Sequence, residues 1–123
     1  MIDYDEFGPE KLINVYDAKT GMRGFTVIDN TSLGPGKGGI RMTTSVSVEE
    51  VSRLARAMTW KCAFAELPFG GGKSGIIDNT KGDKKKKREV IEAFGRALKQ
   101  VAPSIYIAAP DINTGEHEMG IFS

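Results

Sequence analysis

The chain has 123 residues, 40% hydrophobic and 27% charged, with a formal net charge of +1. That describes one ordinary domain, long enough for a real core and too short for two. A concentrated basic surface for nucleic acid is excluded outside the run KKKKR at 84–88, which reads as a solvated loop or helix start, and no apolar run approaches the roughly 20 residues of a membrane span. The acidic start MIDYDEF is unlike a signal peptide. Cys62 stands alone and cannot close an internal disulfide, so a reducing, cytoplasmic setting is expected. His117 is the single histidine, and with nothing clustered around it at ligand spacing no metal is expected.

In chain order, KLINVYD (11–17) and RGFTVIDN (23–30) bracket a turn near Gly21 and read as an antiparallel hairpin. GGIRM (38–42) is expected as a third strand. A helix begins at Ser47, where Ser47 and Glu50 form a capping box and Val46 with Val51 a hydrophobic staple. Val51, Leu54, Met58 and Cys62, with Ala55 and Ala65, recur at helical spacing and predict a stripe packed on the sheet. Pro68 and Gly70 to Gly72 read as a turn leading into the strand SGIID. A second helix is expected over 86–101, with Val90, Ile91, Phe94, Ala97, Leu98 and Val101 inward. Lysines at its entrance oppose the helix dipole and predict a start later than the apolar pattern suggests. Pro103 ends it, and SIYIAA (104–109) is a short strand delivering Pro110 and Asp111 at its C-terminal end. The expected fold is α/β: a single three-layer domain with a mixed, partly parallel sheet of about five strands flanked by helices. Ligands in such sheets lie at strand C-termini, which would bring Lys73 and Asp111 together from two loops.

Two phosphate motifs are imitated without their context. Gly34, Gly36 and Gly39 spell G-x-G-x-x-G, but β-branched residues rather than a helix follow, and the next acids, Glu49 and Glu50, come too early for a dinucleotide fingerprint. GGGKS at 70–74 lacks the first P-loop glycine, which would stand at Leu67, and runs into a strand.

The charged residues set among glycines are more telling. Lys37, Lys61 and Lys73 supply three ammonium groups and Asp111 a carboxylate, a set suited to a small dianionic substrate needing one proton donor or acceptor. Lys61 lies about 20° from Leu54 around the helix, on the apolar stripe. It either snorkels to the helix end or meets an anion, and spacing alone favours snorkelling. Lys73 is either a solubilising edge-strand lysine or a ligand, and the preceding glycines leave a ligand unobstructed. Burial beside other cations would tune it for acid–base work near neutral pH. Asp111 suits an Asx turn, a helix cap or proton transfer, and these roles are compatible.

KGGIRM, MTWKC, PFGGGKSG and AAPDINTGEHEM together resemble the motifs of the N-terminal, substrate-binding and dimerisation domain of the glutamate/leucine/phenylalanine/valine dehydrogenases. The resemblance runs from about Leu12 to the end and is densest between Gly34 and Gly75. Lys37 tilts it towards glutamate, since the leucine and phenylalanine enzymes usually carry an apolar residue there. The head, starting almost at once with EKLINVYD, looks more like the leucine type. The resemblance implies reversible oxidative deamination of L-glutamate to 2-oxoglutarate and ammonia with NAD or NADP. Lys37 would pair with the side-chain carboxylate and Lys61 with the α-carboxylate. Met58, Gly38 and Pro110 would line the pocket. Lys73 would polarise the 2-oxo group, and Asp111 would move protons at the amino nitrogen. It also implies a piece of a longer enzyme, residues 1–123 being the substrate-binding and dimerisation domain, with the cofactor on a nucleotide-binding domain not encoded here. A homo-oligomer is expected through this domain, with the hairpin's outer edge as candidate surface. Arg41 is expected to brace structure, and Trp60 to serve as core or subunit contact. The alternatives are a leucine-, valine- or phenylalanine-type dehydrogenase domain, or a stand-alone non-catalytic binding or oligomerisation module.

Overall fold

A computed structural model of the chain describes residues 2–101 and 106–109, with residues 100, 101 and 106–109 as backbone only. Pro110, Asp111 and His117 lie outside the described residues. Strands β1 (Lys11–Asp17), β2 (Met22–Asn30) and β3 (Gly36–Thr43) precede helix α1 (Val48–Phe64); strand β4 (Gly70–Ile77), helix α2 (Lys84–Val101) and strand β5 (Tyr106–Ala109) follow. They form one five-stranded sheet in the order β1-β2-β4-β3-β5. The first two pairings, β1 with β2 and β2 with β4, are antiparallel, while β3 runs parallel to both β4 and β5.

The layering follows from this order. From β3 the chain crosses to β4 on one side, and from β4 it crosses back over β3 to β5 on the other. Parallel crossovers are right-handed, so reversing direction puts α1 and α2 on opposite faces. The core divides accordingly. Met22, Ile28, Ile40, Met42 and Ile76 pack with Val90, Ile91, Phe94 and Leu98 of α2. Phe25 and Val27, from the other face of β2, pack with Val46, Val51 and Ala55 at α1.

The hairpin turns at Gly21, whose φ of +73° is one that only glycine adopts without strain. Ser47 caps α1 as the sequence indicates, the Glu50 amide donating to Ser47 Oγ at 3.1 Å, and Val46 and Val51 are both buried. The Glu50 carboxylate, however, turns to Arg41 instead of forming the second arm of the box. Arg41 Nη1 donates to Glu50 Oε2 at 2.7 Å and so braces β3 against the first turn of α1.

Three expectations are corrected. Helix α2 starts at Lys84, earlier than its lysines suggested, because Asp83 accepts the amides of Lys85 and Lys86 at 3.0 and 3.2 Å and supplies an anionic cap that offsets the lysines' repulsion by the helix dipole. Ala65 is the exposed C-cap of α1 rather than part of its stripe. Gly70 to Gly72 form no turn; they open β4, the central strand between β2 and β3. A Cβ on Gly70 would meet the Asn30 carbonyl oxygen at 1.6 Å and one on Gly71 would meet α1, so these two glycines serve close approach rather than chain reversal.

Candidate functional site

Lys37 is the second residue of β3 and Lys73 the fourth of β4. Side chains alternate along a strand, so Lys37 shares its face with Arg41, which reaches Glu50 of α1. Lys73 shares its face with Gly71, which abuts α1, and with Ile77, which packs on the cluster beneath it. Both lysines therefore stand on the α1 face. Lys37 pairs with Gly71 and Ile40 with Ser74, which puts Gly39 beside Lys73 and the two lysines diagonally across adjacent strands. Strand spacing and rise make their Cβ atoms roughly 8 Å apart.

Lys73 is 9% exposed and lies in a central strand, which rules out the edge-strand alternative. Lys37 is half-buried, with Nζ 4.9 Å from the centroid of the Phe69 ring. An ammonium over an aromatic face is held by the ring quadrupole, so Phe69 steadies this cation at the mouth of the site.

Helix α1 returns antiparallel to β3 and β4, and its last turns lie over their first residues. Gly71 proves the approach: a Cβ there would stand 2.2 Å from both the Ala55 carbonyl oxygen and Thr59 Oγ1. Met58, half-buried, and Lys61, in the last turn, are one helical step apart on the flank of this contact. Lys61 is exposed, contrary to its expected place on the buried stripe. The seam is centred on Val51, Ala55, Thr59 and Cys62, which leaves Leu54, Met58 and Lys61 on its rim. The lysines thus gather at the beginnings of β3 and β4, not at the strand C-termini that the parallel topology suggested. The last described residue of β5, Ala109, pairs with Gly39 and so lies in the same row as Lys73.

Gly38 carries a structural demand of its own. A Cβ there would lie 1.5 Å from the Gly72 carbonyl oxygen, so the β3–β4 pairing itself requires glycine. The two described hollows lie elsewhere. One of about 530 Å³ runs between β1, β2 and the start of α1 past Tyr16, Arg23 and Phe25. Another of about 330 Å³ lies under the N-terminal segment by Asp5, Asp29 and Arg56. The first has one arginine in its lining. In the second, Asp3, Asp5, Asp29 and Glu49 outnumber Arg53 and Arg56, the latter already paired with Asp5 and Asp29. The lysines lie outside both, at the end of the sheet under the last turns of α1.

Sequence reading missed Asp29, Arg56, Thr59 and Phe69. Arg56 Nε donates to the buried Asp29 at 2.7 Å, and Nη1 and Nη2 donate to Asp5 at 2.7 and 2.9 Å. These bonds, first those to Asp5 and then those to Asp29, raise the guanidinium further above its ordinary pKa, while the Asp5 carboxyl is held down to about 2, chiefly by Arg56. Phe7 meets Trp60 edge-on at 5.1 Å, so the N-terminal segment is strapped to α1. Trp60, 47% exposed, is not core. A signal for Asp29 was present: it continues the inward row Phe25, Val27, where a carboxylate needs a reason.

The dimerisation domain of Glu/Leu/Phe/Val dehydrogenases matches residues 9–123. Leucine dehydrogenase of Bacillus subtilis (strain 168) is 38% identical over 121 residues, 95% of this chain and 32% of that enzyme. NADP-specific glutamate dehydrogenase of Synechocystis is 41% identical over 102 residues, 79% of this chain and 23% of that one. Among solved structures, the hetero-hexameric glutamate dehydrogenase of Thermus thermophilus superposes with a TM-score of 0.82 at 27% identity, covering 93% of this chain and 30% of that one. L-tryptophan dehydrogenase of Nostoc punctiforme gives 0.82 at 27% identity, over 96% of this chain and 35% of that one. The chain thus spans about a third or less of the length of these proteins.

Proposed function

Because the chain belongs to the Glu/Leu/Phe/Val dehydrogenase family through its dimerisation domain, we propose that it forms the substrate side of an NAD(P)-dependent glutamate dehydrogenase. The reaction is L-glutamate, NAD(P)⁺ and water going to 2-oxoglutarate, ammonium, NAD(P)H and a proton. The relatives act on glutamate, leucine and phenylalanine by name, so the choice of glutamate rests on Lys37. Its ammonium, held by Phe69 on the same face as Lys73, is the observation that carries the reading. A γ-carboxylate entering this edge finds a fixed cation, and a leucine side chain would leave that cation desolvated and unpaired, which is costly.

The other roles follow by position. Lys61, on the rim, takes the α-carboxylate, with Met58 and the Gly38 backbone beside it. Lys73, in a nine-tenths buried setting, donates a hydrogen bond to the 2-oxo oxygen and to the carbinolamine that precedes it, where a preorganised cation is most effective. Pro110 and Asp111 follow β5 directly, and Asp111 takes and returns the proton of the amino nitrogen.

The nicotinamide cofactor supplies the hydride acceptor when bound, but the described residues do not fit it. The glycines at 34, 36 and 39 lead into β3, and α1 begins only at Val48, so no helix N-terminus meets a phosphate there. The protein assembles as a homo-oligomer through this domain. The edge strand β1, with Tyr16 67% exposed, is the surface for it. No helix among the described residues is long and apolar enough to cross a membrane. A cytoplasmic setting matches the lone, buried thiol of Cys62. A leucine-type substrate is the second reading, favoured by the 95% coverage of the Bacillus enzyme's match.

A substrate panel decides between them. The protein at native length is assayed with L-glutamate, L-leucine, L-valine and L-phenylalanine, each with NAD and NADP. The highest kcat/KM is expected for glutamate. A preference for leucine moves the assignment to the second reading, and no turnover of any amino acid makes this a non-catalytic binding or oligomerisation module.

A further inference from the structure

The pairing of β2 with β4 is regular to Ile28↔Gly72 and resumes at Asn30↔Gly71, which makes Asp29 the extra residue of a β-bulge. A bulge bends its strand and re-aims a side chain. Here the bulged residue keeps the α1 face of Phe25 and Val27 and is a carboxylate only 1% exposed, turned under α1. Burying such a group is costly unless donors meet it, and α1 brings two residues to it from one face. Thr59 Oγ1 donates to Asp29 Oδ2 at 2.7 Å, Arg56 Nε donates to the same oxygen at 2.7 Å, and Arg56 Nη2 donates to Oδ1 at 3.2 Å.

The contact sits where the lysines converge. Under Thr59 the helix and β4 are so close that a Cβ on Gly71 would reach 2.4 Å from the Thr59 amide nitrogen. Gly71 is the register partner of Lys37 and lies two residues before Lys73 on the same face. Asp29 of β2 and Gly71 of β4, both beneath the helix, therefore fix the rotation and the height of the last turns of α1. Those turns carry Met58 and Lys61. A small rotation or lift of these turns would shift Lys61 and Met58 relative to the lysines on the sheet while the buried residues of the seam stayed covered.

We propose that Asp29, acting through Thr59, is a positioning residue of the lysine site: the bulged carboxylate seats α1 over Gly71 and so places Lys61 and Met58 relative to Lys37 and Lys73. The inference rests on the reading of these lysines as substrate anchors. It adds that their spacing is set by a polar contact made within the seam at Thr59, and not by the seam's apolar residues alone.

The test uses the protein at native length with Thr59→Val, which keeps the side-chain shape and removes the hydroxyl, Thr59→Ser, which restores it, and Asp29→Asn. For Thr59→Val, kcat/KM for glutamate falls roughly tenfold to a hundredfold, the scale of a ~1 Å misplacement. KM for the cofactor is unchanged, the melting transition stays cooperative, and Thr59→Ser recovers most of the loss. Asp29→Asn follows Thr59→Val in its kinetic pattern. Glutamate kinetics for Thr59→Val within about twofold of the parent, or an equal loss in Thr59→Ser, would overturn the proposal. Should the parent turn over no amino acid, the function fails while the positioning claim is still readable. The lysines are then ¹³C-dimethylated and the Lys61 resonance, assigned with Lys61→Arg, is compared in parent and Thr59→Val. A displaced Lys61 signal upholds the lock, and an unmoved one refutes it.

Discussion

The two faces of the sheet are built from the same strands and do opposite work. On the α2 face, Met22, Ile28, Ile40, Met42, Ile76 and Phe94 are at most 1% exposed and form one apolar layer. Its polar insertion, Thr26 against Ser74 at 2.7 Å, is satisfied across the β2–β4 pair. On the α1 face the apolar cluster of Phe25, Val27, Val51 and Ala55 gives way to Asp29, Thr59, Lys73 and Lys37, the boundary falling at the Val27↔Lys73 register pair. The pleat separates them: each strand sends alternate residues to a stabilising layer and to the face proposed to bind substrate. A change on one face should therefore register mainly as stability, and a change on the other mainly as turnover.

The sharpest way to break this division is to compare Lys73→Met with Phe94→Ala. Lys73→Met is expected to lower kcat by about 10²–10³-fold or more, as for loss of a preorganised electrostatic group, while the circular-dichroism spectrum stays native. Phe94→Ala, which empties a fully buried ring site, should cost about 3–5 kcal/mol in denaturant unfolding and leave the kcat of the folded fraction near the parent's. If Phe94→Ala abolishes turnover in protein that remains folded, the faces are not independent.

Gly71→Ala falls between the two. Its Cβ would meet backbone as well as the Thr59 hydroxyl at 2.2 Å, and over-packing of this kind costs roughly 1–3 kcal/mol. Because the helix must lift at the site end, a rise in KM for glutamate should accompany the lowered stability; unfolding midpoint and KM are measured on the same preparation.

The smallest effect concerns the N-terminal strap. Arg56 depresses the Asp5 pKa from 3.8 to about 2. A carboxylate with a lowered folded-state pKa stabilises above its unfolded value, and that contribution is lost as pH falls through the folded one. The strap contact should thus be constant at neutral and mildly acidic pH and weaken only as pH drops from 3.8 towards 2. Asp5→Asn should flatten this acid limb, read as the Trp60 fluorescence change against pH, with little effect at neutral pH. A strap that opens at pH 6 would show that Phe7 and Trp60, not Asp5, govern it.

Much of this was legible in the residues. Alternation marked the hairpin, helical spacing marked the face of α2 and part of that of α1, and the Ser47–Glu50 spacing placed the start of α1 within a residue of its true position. Local signals failed where a tertiary demand overrode them. The glycines at 70–72 look like a turn because turn chemistry and close inter-element packing use the same residue, and only the arrival of α1 over Gly71 tells them apart. A stripe through the apolar Leu54 would turn Lys61 inward, whereas the seam follows the small residues Ala55, Thr59 and Cys62 that allow close approach. The Asp29 lock joins residues about 30 positions apart through a bulge, and no window along the chain contains both partners.

The central claim, that the lysine face reads a dicarboxylate, is tested most directly by one variant. Lys37→Leu in the protein at native length is assayed for kcat/KM with L-glutamate and L-leucine under identical conditions. The account predicts a fall for glutamate of about two orders of magnitude or more, the discrimination lost when a buried charged partner is removed, with leucine use maintained or improved. A variant that keeps the parent's preference for glutamate would contradict it, and the carboxylate would then have to be read by a residue other than Lys37.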